Sequence, residues 1–265
     1  MADTDHRVER YQTLLAEAGA EPLVLELPSA SAASHSFSPP TLTHLLNDPE
    51  QWRTAINARV GEAADHRQRR ACASVLHQNL ALTIIAPLTM QLFTKGKARI
   101  PNPDQISLKP CPGDKLTGDW LWNDTGECVD VDEFARRVAD QVRAWYPVFR
   151  HQLGVAPGAY WSSIGLGLCA PFSALYDKAP PERLCDEASD WLNMINCDAR
   201  RYIDWIPATL NQQPCAIPQR RGCCLKFLLP NGDYCGTCGI YRNERLAIRA
   251  TSRQPTRPSR WSPTE

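Results

Sequence analysis

Residues 220–238 read RRGCCLKFLLPNGDYCGTC and hold four of the eleven cysteines of this 265-residue chain. Thiolates this close in sequence are most often metal ligands, because sulfur binds zinc and the iron of iron–sulfur clusters well. Zinc sites pair two CxxC-like knuckles, whereas Cys223 and Cys224 are adjacent and cannot form one. A two-iron cluster accepts an adjacent pair more readily, since its sulfur ligands need not converge on one metal atom. Disulfides and unligated thiols are the remaining alternatives.

The ten residues between the cysteine pairs predict a β-hairpin. An apolar run at residues 225–229 is followed by Asn231-Gly232, a strong short-range hairpin signal. Such a hairpin would bring the two cysteine pairs together. A regular strand ladder would divide the four sulfurs between its two faces, so the backbone must bend. Gly222, Gly236 and Gly239 are expected to supply that freedom.

The stretch resembles the C-terminal segment of ferric siderophore reductases of the FhuF type. The resemblance lies in Arg-Gly-Cys-Cys-Leu at residues 221–225 and Tyr-Cys-Gly-Thr-Cys at residues 234–238. The helical pattern from about Arg67 to Leu92 is more loosely similar to the middle region of the family. Gly239 is a departure, because many members have proline after the last cysteine. The departure affects only the local environment of the cluster, since the four cysteines are present.

The resemblance implies a cofactor, a reaction and two partners. Cys223, Cys224, Cys235 and Cys238 would hold one 2Fe-2S cluster per chain, with no catalytic residues beyond it. The enzyme would reduce Fe(III) in hydroxamate-type siderophores to Fe(II) by one-electron transfer and release iron in the cytoplasm. Its partners would be the ferric siderophore and an external electron donor such as a ferredoxin or its reductase.

Two other classes of protein fit the cysteines. One is a zinc-stabilised binding protein, in which the thiolates only hold the segment together. The other is an iron–sulfur electron carrier or sensor whose partner is another protein. The roughly 215 residues that precede the cysteines favour a substrate-binding role over a small carrier.

Charge is unevenly distributed along the neutral chain. Residues 216–265 contain nine Lys or Arg and three Asp or Glu, a net charge of +6. This basic region could attract an acidic electron donor, an anionic chelate or a membrane surface, and would stabilise a reduced cluster. No nucleic-acid partner is expected, because no recognised binding motif accompanies the charge. The basic residues nearest the cysteines are Arg220, Arg221, Lys226, Arg242 and Arg245.

Location follows from the absence of targeting signals. The polar N-terminus, Met1 to His6, predicts no signal peptide, and the most apolar stretch, Leu80 to Met90, is too short to span a bilayer. We therefore expect a cytoplasmic protein. Peripheral association with the inner face of the membrane is compatible with that location.

The pattern along the chain predicts an α+β protein: a mostly helical single domain with a small antiparallel sheet and a C-terminal cysteine hairpin. We expect a siderophore-reductase (substrate-binding) domain at 1–215, a cluster-binding segment at 216–245 and a disordered basic tail at 246–265. Helices are predicted at 5–20, 49–60, 65–93, 130–152, 159–176, 181–195 and 198–210, and strands at 22–27, 105–108 and 119–122.

Overall fold

Helices dominate the fold, as the sequence pattern predicts. The computed structural model describes residues 4–27, 39–109, 120–123, 126–230 and 232–238. The predicted tail at 246–265 lies outside these residues, as does Gly239. The described helices are α1 (Thr4–Glu17), α2 (Leu42–Asn47), α3 (Pro49–Val60), α4 (His66–Leu80), α5 (Ala86–Lys95), α6 (Val131–Pro147), α7 (Pro157–Leu168), α8 (Ala170–Ser173), α9 (Pro181–Met194) and α10 (Ala199–Tyr202).

The strands of the described residues form three antiparallel pairs: β1 (Ala98–Arg99) with β4 (Cys128–Val129), β2 (Ile106–Leu108) with β3 (Trp120–Trp122), and β5 (Ile203–Leu210) with β6 (Gln213–Arg220). The predicted strands near 105–108 and 119–122 are therefore confirmed and pair with each other. The fold class is the predicted one, α+β with small antiparallel sheets.

Aspartates begin three of the helices. Asp48 accepts a hydrogen bond from the backbone of Glu50 and is followed by proline, the favoured order at a helix start. Asp65 forms a capping box with Gln68 at the start of α4. Asp130 caps α6, because its carboxylate accepts a hydrogen bond from the backbone amide of Glu133.

A central helical stretch crosses the core. It consists of α4, a π-helical turn at Ala81–Ile85 and α5. The wide turn lies just before Pro87, which has no amide hydrogen to donate. The stretch His66–Lys95 is long and apolar enough to cross a membrane, yet 78% of its most apolar window is buried inside the fold. A core helix of a soluble protein has the same properties.

Aromatic rings fill the core on both sides of this stretch. Trp52 packs edge-on against Trp120 and Phe149, and Tyr11 packs in the same way against Phe93. All five side chains are buried, and burial of each contributes on the order of 2–3 kcal/mol.

The helix predicted at 198–210 is wrong beyond its first turn. After α10 the chain forms the β5–β6 hairpin, whose turn residues Asn211 and Gln212 have φ values of 51° and 66°. Two left-handed residues in succession are typical of the type I′ turn that fits the twist of paired strands. Pro207 would also interrupt a helix here. Ile203 and Trp205 alternate into the core as strand residues do.

The strand predicted at 22–27 is also wrong. This segment is irregular, and no strand in the described part of the chain pairs with it. Val24 is 79% exposed, so the apolar run is not used to fill a core. Leu23 and Leu25 instead line a groove that is described below.

The predicted division of the chain at 215/216 falls inside β6, which pairs with β5 along its whole length. The assignment of one role to 1–215 and another to 216–245 remains a prediction.

Candidate functional site

The cysteine segment, residues 221–238, follows β6 directly and packs against helices α4 and α7. The amide of Arg221 donates to the carbonyl oxygen of Tyr202, which holds the segment beside β5. Gly222 lies against the backbone of Gly158 at the start of α7. A Cβ atom on Gly222 would stand 2.0 Å from the carbonyl carbon of Gly158, so only glycine permits this approach.

The predicted strand ladder is not formed between the cysteine pairs. Residues 221–230 and 232–238 contain no strand, and Asn231 lies outside the described residues. Instead, Lys226–Leu228 form a 3-10 turn and Leu229 is buried in the core. The rings of Phe227 and Tyr234 stack with their centroids 5.5 Å apart and connect the two halves of the segment. Burial of Leu229 and the stacking of Phe227 on Tyr234 therefore take the place of strand pairing.

The four predicted ligands are near neighbours. Cys224 is buried, and its thiol is hydrogen-bonded to that of Cys235. This bond, followed by the positive charge of Arg220, lowers the pKa of Cys235, and it raises the pKa of Cys224. Burial raises the pKa of Cys223, and nearby Cys238 and Cys235 raise it further. Each thiol is thus within electrostatic reach of at least one other.

Backbone amides point at three of the sulfurs. The amide of Leu225 donates to Cys223 Sγ at 3.4 Å, and those of Lys226 and Thr237 donate to Cys224 and Cys235. The amides of Leu225 and Lys226 belong to a turn with an unusual backbone conformation.

Leu225 has φ 60° and ψ 15°, the left-handed region that leucine rarely adopts. Consecutive amides in such a turn form a concave nest that binds anions, including the thiolates of iron–sulfur sites. The expectation that glycines would supply the bend is therefore incomplete, because Leu225 supplies part of it.

The four thiols can be compared with the needs of a metal site. In the described parts of the chain, no group of three or more His, Cys, Asp or Glu side chains is placed to hold a metal ion. A 2Fe-2S cluster spreads four sulfur ligands over two irons. Neighbouring thiols with amide donors therefore fit such a cluster, with Cys223, Cys224, Cys235 and Cys238 as the residues that would hold it.

The basic residues of the segment differ sharply in environment. Arg220 is 2% exposed, whereas Arg221 is exposed and makes two hydrogen bonds to Asp204, at 2.6 and 2.8 Å. Lys226 is exposed. The other two predicted basic neighbours, Arg242 and Arg245, lie outside the described residues.

Three side chains that the sequence did not identify hold Arg220. Its guanidinium donates to Ser162 Oγ and Ser163 Oγ at 2.9 Å each, and to Gln78 Oε1 at 2.6 Å. Adjacent serines on a helix carry no motif, so no signal in the sequence could have identified them.

A groove of about 530 Å³ lies beside Cys235. Its lining includes residues of the irregular 21–27 segment, of the central helical stretch and of the cysteine segment, which contributes Cys235, Gly236 and Thr237. None of the described residues that line it is Asp, Glu, Lys, Arg or His. The volume falls within the usual range of small-molecule sites, and the lining favours an uncharged ligand with an apolar surface.

Comparison with known protein families gives one relevant match. A model of the FhuF 2Fe-2S C-terminal domain matches residues 220–238. The match coincides with the cysteine segment and supports a relationship to the FhuF family at that segment. No curated protein is significantly similar to the chain.

Proposed function

We propose that this protein is a ferric siderophore reductase that transfers one electron to chelated Fe(III) from a 2Fe-2S cluster held by Cys223, Cys224, Cys235 and Cys238. The observation that carries the proposal is the cysteine segment itself, where neighbouring thiols face backbone amides and the sequence matches a 2Fe-2S domain. The proposed reaction takes place in the cytoplasm, with a ferredoxin or its reductase as donor.

The cofactor would supply one-electron chemistry: one electron enters from the donor and leaves to Fe(III), which becomes Fe(II). The chain contributes no proton and forms no bond to the chelate. Its residues hold sulfur ligands, exclude water from Cys224 and fix the charge around them. Hydroxamate oxygens are hard ligands that suit Fe(III), so reduction weakens the chelate and frees the iron.

The groove beside Cys235 is the proposed docking site of the chelate. Three singly charged hydroxamates neutralise Fe(III), and the complex presents its organic backbone outward. Such a surface suits a groove lined by Leu25, Leu82 and Ile217. Cys235 and Thr237 also line the groove, so a chelate bound there would lie next to the sulfur ligands. This placement replaces the expectation that basic side chains dock the chelate.

Leu23→Glu is expected to raise KM for ferric hydroxamate by about tenfold while leaving the visible spectrum unchanged. The leucine is 48% exposed and lines the groove, so a carboxylate there removes apolar contact and must be desolvated when the chelate binds. Leu82→Glu, on the opposite wall, should act in the same direction.

Val24→Glu is the matched control for these groove variants. Val24 adjoins Leu23 and is more exposed, at 79%, but it is not among the described residues that line the groove. Steady-state reduction of ferric hydroxamate under anaerobic conditions gives the comparison. Equal KM values for all three variants and the wild type would contradict the groove as the docking site.

An electron carrier or sensor is the second candidate, and the groove is the feature that disfavours it. A carrier that meets only proteins has no use for a cleft of small-molecule size beside a ligand cysteine.

A single-turnover experiment tests the proposed reaction. The reduced protein is mixed anaerobically with ferric hydroxamate, and Fe(II) is trapped with a chromophoric chelator. The proposal predicts one Fe(II) formed for each cluster oxidised, and formation of no Fe(II) would contradict it.

A further inference from the structure

A buried cation without a counter-ion lies beside the cysteine segment. The Arg220 guanidinium donates to Gln78, Ser162, Ser163 and, at 3.3 Å, to the carbonyl oxygen of Ala159. All four acceptors are neutral. Within the described residues, no carboxylate stands within ion-pair distance of this guanidinium. Arginine stays protonated in proteins, so the charge is always present.

Burial of an isolated charge is costly, and hydrogen bonds to neutral acceptors offset only part of the cost. One group that can supply negative charge is in reach, because Cys235 Sγ lies 4.0 Å from Arg220 Nη1. On another side, burial and then the charge of Arg220 lower the pKa of His77 to about 3, which keeps that imidazole neutral. Arg220 therefore acts as a single fixed charge.

We propose that Arg220 is a positioning residue for electron transfer, whose guanidinium is the fixed counter-charge of the thiolate-held cluster and makes that cluster easier to reduce. The inference rests on the proposed function, because it takes the four cysteines to hold a 2Fe-2S cluster. Reduction adds one negative charge, and a cation held nearby stabilises the reduced form more than the oxidised form.

The cradle around Arg220 gives this charge its effect. Gln78 belongs to α4, and Ser162 and Ser163 to α7, so the guanidinium is held to two core helices and cannot turn toward solvent. A charge in this dry position is screened far less than one at the surface. Because the four oxygen acceptors are neutral, none of them cancels the charge.

The neighbouring residue provides a control from the same strand end. Arg221 has the same side chain, but it is exposed and already neutralised by Asp204. Loss of its charge should therefore change the field at the sulfurs very little. Comparison of Arg220 and Arg221 variants separates the effect of a buried guanidinium without a carboxylate partner from the effect of positive charge in general.

The test is an anaerobic potentiometric titration of the visible absorbance in the full chain. Arg220→Gln is expected to shift the one-electron equilibrium at least tenfold toward the oxidised form, which is about 59 mV. Gln78→Glu should shift it in the same direction, because the new carboxylate neutralises the guanidinium without removing it. Arg220→Lys keeps the positive charge, so its potential should lie close to that of the wild type. Arg221→Gln should show no shift in potential.

The outcomes distinguish the inference from the proposed function. Equal potentials for the wild type, Arg220→Gln and Gln78→Glu, each with full cluster absorbance, would overturn the counter-charge role and leave the reductase proposal intact. A wild-type chain that binds no cluster would overturn both. If Arg220→Gln does not fold, Gln78→Glu decides, since a purely structural role for Arg220 predicts no change of potential in that variant.

Discussion

Cys224→Ser is expected to abolish the visible absorbance and the bound iron of the anaerobically purified protein, and Cys235→Ser should do the same. Their thiols are hydrogen-bonded to each other, and each also accepts from a backbone amide, so both are central to the sulfur set. A serine hydroxyl is a poor substitute for a soft thiolate ligand. The expected loss is more than tenfold in iron per chain, measured by iron analysis together with the spectrum.

Cys128→Ser is the control for this substitution. Cys128 is an exposed cysteine in β4 and not part of the cysteine segment. The Cys128→Ser protein should therefore retain full absorbance. Retention of iron in both Cys224→Ser and Cys235→Ser would show that these residues are not ligands. Loss of iron in Cys128→Ser as well would point to a general effect of thiol removal on folding.

Gly222→Ala is expected to lower the free energy of unfolding by about 3 kcal/mol, the upper end of the usual cost of overpacking. The added methyl group would stand 2.0 Å from the carbonyl carbon of Gly158, and backbone cannot rotate away as a side chain can. The cysteine segment and the start of α7 must therefore separate. For a chain of this size the expected fall in Tm is about 6–12 °C.

Gly236→Ala provides the comparison for this prediction, because a Cβ atom there meets nothing within 4 Å. Thermal unfolding of the two variants, followed by circular dichroism, should show a large fall for Gly222→Ala and a small change for Gly236→Ala. Equal melting temperatures would mean that the segment does not pack against α7 as described.

The 2Fe-2S character of the segment could be predicted because it depends on residue type and spacing, and a model of a 2Fe-2S domain matches residues 220–238. The assignment of Cys223, Cys224, Cys235 and Cys238 as the ligands remains a prediction. Helix starts were predicted for the same kind of reason, since Asp48 and Asp130 cap their helices through contacts only two or three residues away.

The position of the hairpin could not be predicted, because long-range packing decided between competing local signals. Asn231-Gly232 is a stronger turn signal than Asn211-Gln212, yet the paired strands flank the second. The apolar run near 225–229 buries Leu229 in the core instead of alternating across a sheet. The local sequence pattern does not show which distant residues a segment packs against, so it could not indicate which of the two turns joins paired strands.

The difference between Arg220 and Arg221 was likewise invisible in the sequence. Both precede the same glycine, and both were expected to be basic groups near the sulfurs. Only the three-dimensional arrangement shows that one is buried among neutral acceptors from α4 and α7, while the other is paired with Asp204. The acceptors are separated from Arg220 by 57 to 142 positions along the chain.

The visible spectrum of anaerobically purified protein, before and after dithionite and then with ferric hydroxamate added to the reduced sample, tests the cluster and the reaction together. A ferric siderophore reductase with a 2Fe-2S cluster is expected to be red-brown, to bleach on reduction and to regain its colour when the chelate is added. A colourless protein that contains zinc would contradict the cluster. Bleaching without return of colour would contradict the reductase activity and favour an electron carrier or sensor.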